Sequence, residues 1–348
     1  MSQTVTAPEL ALLPFGARGP LSDAVMRHAV GASEGADHAE LARRVVNRSA
    51  DVVRDDDIQL ALFVLYACAY GSLPGLKARL EWDTDLIATR RVLEDALEQE
   101  LRAVVTTPET PAAHAGDIAA ALFDLTAPTP GPSIARFIAR KATKEQVREM
   151  FVLRSIYTLR EADPHSWAIP RLSGRSKAAL VEIQADEYGG GRPERMHATL
   201  FASAMRGAGL DDTYGTYVDY VPALVLASHN TMSMFGMNRR LLGAIVGHLA
   251  AFEMTSSLPS RLWADGLRRL GFSEDVTEYY DEHVEADAVH EQIAGHDLAG
   301  SLGEDRPELI GDIMFGAAAC LALDEWLGHD VLEAWSVGDS ILERELHS

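Results

Sequence analysis

The sequence predicts an all-α protein, on three observations. Apolar residues recur at three- and four-residue spacing in one segment after another. No stretch of useful length alternates as a strand would. Clusters of Pro and Gly punctuate the periodic segments at 73–75, 126–132 and 189–193.

The elements follow in order. Residues 1–20 contain Pro and Gly and are expected to be a flexible N-terminus. Ser22–Ala32 and Asp37–Asn47 read as short helices, with Ser22 and Asp37 as N-caps. Asp55–Gly71 carries Ile58, Leu60, Leu62, Val64 and Leu65 around most of its circumference, so that helix should be buried on most sides. Asp83–Val105 is a long amphipathic helix with Leu86, Leu93, Leu97 and Leu101 on one face. Asp117–Leu125 is short. Three prolines in Thr126–Pro132 then mark a boundary between an N-terminal helical subdomain, 21–126, and a main domain, 133–348.

The main domain begins with Ser133–Lys141 and Thr143–Glu161. The second of these carries Gln146 three residues after Thr143, the spacing of a capping box. Gly174–Tyr188 runs into Gly189–Pro193, which must re-aim the backbone, and Pro193 suits the first turn of a helix to Gly207. Tyr217–Ala227, Arg239–Ser257 and Leu262–Leu270 precede a Gly- and Pro-free stretch, Ser273–Ala294. Pro307–Leu327 is a last apolar helix, with Asp330–Glu343 packing after it.

Composition narrows the function. The chain has 348 residues, 47% of them hydrophobic, enough for a substantial core. A formal net charge of −21 argues against nucleic acid or an anionic membrane surface as partner. Two cysteines, Cys68 and Cys320, make no disulfide framework. Without a basic, apolar leader at Met1–Pro20 or a run of about 20 apolar residues, the expectation is a cytoplasmic protein.

The chemistry concentrates in His283-x3-Asp287-x2-His290. Offsets of four and seven place all three side chains on one helical face, beside Tyr279 and Tyr280. Two imidazoles and a carboxylate suit divalent iron or manganese. Further candidates lie on earlier helices. Glu161 ends an apolar helix, where the macrodipole disfavours an acid unless a cation is bound nearby. Glu187 precedes the glycine break. Glu194 and His197 follow it as Glu-x2-His, the spacing that offers a carboxylate and an imidazole together in carboxylate-bridged metal pairs. Glu194 also reads as a first-turn acid in water. Three histidines and four carboxylates exceed what one structural zinc needs and suit two ions.

Taken together, Glu161, the run Asp186–Gly191 leading to Met196-His197-x-x-Leu-Phe201, and His283-x3-Asp287-x2-His290 resemble the haem-oxygenase-like diiron oxidases and oxygenases, also described as iron-containing redox enzymes. The resemblance covers roughly the last two-thirds of the chain. It implies a haem-oxygenase-like helical bundle holding two irons, with O2 as co-substrate and an external electron donor. By position, it assigns Glu161, His197 and His290 to one iron, and Glu187, His283 and Asp287 to the second. Members that oxygenate nitrogen carry an extra carboxylate where Glu194 stands. That implies N-oxygenation of a small amine or amino-acid-derived substrate, in a protein expected to be a homodimer. Oxidative carbon–carbon cleavage of an amino or fatty acid on the same site, and a metal-binding protein without catalysis, are the alternatives. A haem oxygenase proper is disfavoured, because Ser133–Glu161 contains no histidine.

Three more residues complete the catalytic candidates. Arg154 and Tyr157 share the face of Glu161, and Arg154 is read as pairing with a structural acid such as Asp186 in preference to clamping a substrate carboxylate. Glu253, an acid in an apolar helix, could accept the outer N–H of a ligand histidine or stand alone near the helix end. His229 and His248 are expected to be satisfied core or surface histidines rather than ligands, and Met232–Met237 a pocket lining or a buried loop.

Overall fold

The computed structural model describes residues 13–32 and 37–346, and only the backbone at 285–288. Among the described residues there are helices and coil but no strand. The helices are α1 (Pro20–Ala29), α2 (His38–Val46), α3 (Asp56–Tyr70), α4 (Thr84–Val104) and α5 (Ala115–Leu125). After the 126–132 coil come α6 (Ile134–Arg140), α7 (Lys144–Thr158), α8 (Asp163–Ser166), α9 (Gly174–Glu187) and α10 (His197–Gly207). The bundle closes with α11 (Ala223–Met237), α12 (Leu242–Met254), α13 (Ser257–Arg269), α14 (Glu274–Gln292), α15 (Ser301–Asp305) and α16 (Ile310–Val337). A π-helical stretch, Ile293–Gly300, extends α14. No single helix among them is long and apolar enough to cross a membrane.

Side-chain caps close the N-termini of α2, α3, α4, α6 and α7. The Thr143 hydroxyl accepts from Gln146 N at 3.2 Å and Gln146 Oε1 accepts from Thr143 N at 3.0 Å, so the capping box forms. Asp37 caps α2 through Glu40 N. Gly19 rather than Ser22 is the cap residue of α1, because Pro20 starts the helix and Ser22 folds back to Gly19 N at 3.1 Å. The expected loose N-terminus lies outside the described residues up to 12. From Leu13 on the chain is anchored, with Phe15 edge-on to Phe63 at 6.1 Å and Gly16 N donating to Asp219 at 3.0 Å.

Both sides of the 126–132 coil share one apolar core. α3 packs on α11, where Asn230 donates to Gln59 Oε1 at 2.8 Å and Tyr70 to Ser233 at 3.2 Å. Met232–Met237 belongs to α11 and, apart from the half-buried Met237, is buried in that core, so it is neither loop nor open pocket. The expected break between 327 and 330 is absent. α16 runs unbroken from Ile310 to Val337 and ends at Gly338, whose φ is +85°. A Cβ on Gly328 would make only ordinary contact, 3.6 Å from Ile134, and nothing there interrupts the backbone hydrogen bonds.

The centre of the bundle is the crossing of α12 with α16, made almost backbone to backbone. A Cβ on Gly247 would fall on the Ile313 carbonyl, and one on Gly316 on the Ala244 carbonyl. Dispersion contacts at that range need glycine on both helices. The crossing fixes α12, and with it Glu253.

Candidate metal centre

Four elements deliver the candidate ligands: the end of α7, the turn between α9 and α10, α12 and α14. α7 stops at Thr158, three residues short of Glu161. The chain then reverses at Ala162, which has a φ of +72° and is the only non-glycine with positive φ among the described residues. Ala162 N donates to Tyr157 Oη at 3.4 Å, and its carbonyl accepts from Gln184 at 3.2 Å. That turn carries Glu161 into the bundle.

On the other side Gly189, Gly190 and Gly191 all have positive φ. A Cβ on Gly189 would lie 2.7 Å from Arg195 C and Met196 N, so glycine permits the close return of the chain. The return brings His197 Nδ1 to 3.1 Å from Glu187 Oε2.

Two groups of donors result. In the first, Glu161, His197 and His283 each offer an atom within 4.8 Å of the others. The His197 and His283 rings lie 4.3 Å apart, and His283 Nε2 is 3.8 Å from Glu161 Oε1. His283 Nδ1 donates to the Tyr279 carbonyl at 2.7 Å, which fixes the tautomer and leaves Nε2 free to ligate. Tyr279 Oη donates to Glu161 Oε1 at 2.8 Å. In the second group, Glu187, Glu253 and His290 likewise each offer an atom within 4.8 Å of the others. His290 Nδ1 is 3.4 Å from Glu253 Oε2, while its Nε2 is held by Asp186 at 3.0 Å. The 3.1 Å contact of Glu187 with His197 joins the groups.

Electrostatics mark this as an unusual interior. His197, His283, His290 and Glu253 are all buried. Burial, helped by Glu187, lifts the Glu161 carboxyl to about 8. Burial would also lift Glu187, but the facing imidazoles, His197 foremost, outweigh it and hold that carboxyl below its usual range. Burial raises Glu253 against the pull of His290. Burial with the neighbouring His197 pushes His283 down to about 4. His290 rises to about 9, because Glu253, Asp186 and Glu187 together overcome its burial.

Glu161 Oε2, Glu187 Oε2 and His290 Nδ1 are buried with no hydrogen-bond partner of acceptable geometry. Three acids and three imidazoles pointing inward with such atoms left over would be costly in a dry interior. A cation removes that cost. With oxygen and imidazole donors and no thiolate, the set fits iron or manganese.

The structure differs from the sequence expectations at several residues. Glu194 is exposed on a 3₁₀ turn, Pro193–Arg195, outside both groups. The Glu-x2-His spacing assumed one helix, but Met196 is extended (φ −59°, ψ 133°), and α10 begins only at His197. His283, not His290, joins Glu161 and His197. The Asp287 side chain lies outside the described residues. Asp186 serves His290 rather than Arg154. Arg154 lies over Trp263, 5.7 Å from its centroid, with Asp324 and Glu161 among the charges acting on it.

Glu253 faces His290 Nδ1, the contact with a candidate ligand histidine expected of it, while Asp186 takes Nε2. Sequence spacing could not separate those roles, since the residues sit on different helices. Tyr157 packs edge-on to Phe252 at 5.5 Å, and burial beside Glu161 and Glu187 keeps its hydroxyl protonated. Of the two alternatives for His229 and His248, the structure places both in the core, although His229 Nδ1 is buried there without a hydrogen-bond partner. His248 faces a second buried histidine, His165, at 3.2 Å. Burial pushes the His165 imidazole down to about 4 and His248 well below its usual value, which disfavours charge on either ring.

Comparison with known proteins agrees with this geometry. Residues 148–325, just over half the chain, match the model of a family described as iron-containing redox enzymes. The segment holds every donor of both groups. The chain is also 27% identical over 173 residues to nitrosourea synthase of Streptomyces achromogenes subsp. streptozoticus. That alignment covers 49% of this chain and 36% of the relative, so the chain spans little more than a third of that protein. On the family match and on the helices that carry the donors, the chain belongs to the iron-containing redox enzymes and has their all-α, haem-oxygenase-like fold.

Proposed function

We propose that the chain is a non-haem diiron oxygenase that adds oxygen to the nitrogen of a small amine or amino-acid-derived substrate. The observation that carries the two-ion part is the joining of the two buried donor groups through Glu187 and His197. One group would hold each iron through Glu161, His197 and His283 and through Glu187, Glu253 and His290, with Asp287 as a further ligand on α14. Bound ferrous ions would supply the electrons that activate O2, and an external donor would restore them.

The protein's own part is positional. Tyr279 holds Glu161 by one oxygen and leaves the other for an ion. Asp186 and the Tyr279 carbonyl orient His290 and His283. Phe151, Phe201 and Tyr280, all fully buried, exclude water from one side. On that side Arg154 lies over Trp263, with Asp324 and Glu161 among the charges acting on it.

Nitrogen as the target is supported by the relative, whose name says that it makes a nitrosourea, a product with oxygen on nitrogen. Glu194, exposed, lends that choice nothing. The test is incubation of the iron-loaded, reduced protein with labelled O2 and a panel of amines and amino acids, read by mass spectrometry. The reading expects a hydroxylamine, nitroso or nitro product carrying the label. A shortened, decarboxylated product would overturn N-oxygenation in favour of carbon–carbon cleavage. Absence of O2 consumption would overturn catalysis altogether.

A further inference from the structure

A second constellation lies on the first helices, which carry none of the iron-site donors. His28 ends α1, His38 opens α2, and Asp83 and Asp85 stand at the start of α4. His28, His38 and Asp85 each present a donor atom within 4.8 Å of the others. The two imidazoles are 4.9 Å apart, edge to face. His38 Nδ1 contacts Asp85 Oδ2, and His28 Nε2 lies 3.5 Å from Asp83 Oδ2.

Both histidines are buried, at 8% and 1% exposure, whereas the two carboxylates retain some access to water. His28 Nδ1 and His38 Nε2 are buried without a hydrogen-bond partner. Two His–Asp hydrogen bonds would satisfy one nitrogen of each ring and explain neither the edge-to-face approach of the rings nor the two nitrogens left over.

We propose that His28, His38 and Asp85, with Asp83 beside them, form a separate structural site for one divalent transition-metal ion of the zinc class. Two imidazoles and one or two carboxylates, with no thiolate, make a donor set that zinc accepts in tetrahedral form. The ion would tie the end of α1 and the start of α2 to the start of α4. Its binding energy would add to the stability of that part of the bundle. It would take no part in oxygen chemistry, since its ligands share no residue or helix with the iron site.

The experiment uses the full chain, stripped of metal and titrated with Zn²⁺ alone, with bound metal counted after desalting. Asp85→Asn and His38→Gln are each expected to retain one ion fewer than the wild type. Glu161→Gln/His290→Gln, which removes a ligand from each iron group, is expected to keep one tight zinc and to gain several degrees in thermal midpoint when it binds. Cobalt substituted into that double variant should give the visible bands of a four-coordinate ion. Equal zinc retention by wild type, D85N and H38Q would overturn the site, as would a double variant that binds no zinc. The two outcomes together would leave only a pair of His–Asp hydrogen bonds.

Discussion

Replacement of His283 by Ala is expected to lower O2 uptake by the reduced, iron-loaded protein by about 100-fold or more, since changes to residues behind the ligands alone can cost that much. The reason is geometric. His283 Nδ1 is locked on the Tyr279 carbonyl at 2.7 Å, so its Nε2 has one direction to face, toward Glu161 and His197. Without the ring, Glu161 loses the imidazole that would share its ion. Alanine suits the interior of α14, so helix content by circular dichroism should be retained. His296→Ala is the control. That histidine is exposed on the π-helical stretch and should leave uptake unchanged. Oxygen consumption at wild-type rate in H283A would remove the first donor group from the chemistry.

The largest expected loss of stability comes from Gly316→Val. Its Cβ would overlap the Ala244 carbonyl, and the obstacle is backbone, which cannot turn aside as a side chain would. α12 and α16 would have to separate, at a cost of about 3 kcal/mol or more, the upper range for overpacked cores. Because α12 also carries Glu253, the iron complement should fall with stability. Gly328→Ala on the same helix is expected to do the opposite. There the new Cβ meets only Ile134, at 3.6 Å, and alanine gains up to about 1 kcal/mol of helix propensity over glycine. Urea unfolding midpoints of the two variants should therefore move in opposite directions. A Gly316→Val protein as stable as the wild type would show that the two helices do not cross as described.

Much of this was legible in the sequence because a helix writes its contacts into local spacing. The periodicity of 55–71 and 83–105, the capping box at Thr143 and the His283–His290 register all depend on residues within two turns of one another. What depended on a single backbone torsion was not legible. Met196 in extended conformation takes Glu194 off the face of His197, and Ala162 with a positive φ turns Glu161 inward beyond the end of α7. A lone Gly328 between Leu327 and His329 gave no sign of whether the helix would continue. Contacts between distant helices were least visible. Glu253 could be noticed as an acid in an apolar helix, but its place opposite His290 Nδ1, with Asp186 on the far nitrogen, needed three helices in position at once. His28, His38 and Asp85 lie on three different helices, and no spacing rule joins them.

Iron content tests most directly whether two irons bind between Glu161 and His290, as proposed. Wild type and Glu161→Gln/His290→Gln would be loaded anaerobically with ferrous iron, desalted and analysed side by side. The wild type is predicted to hold two irons per chain more than the double variant. Equal iron in the two proteins would contradict the claim.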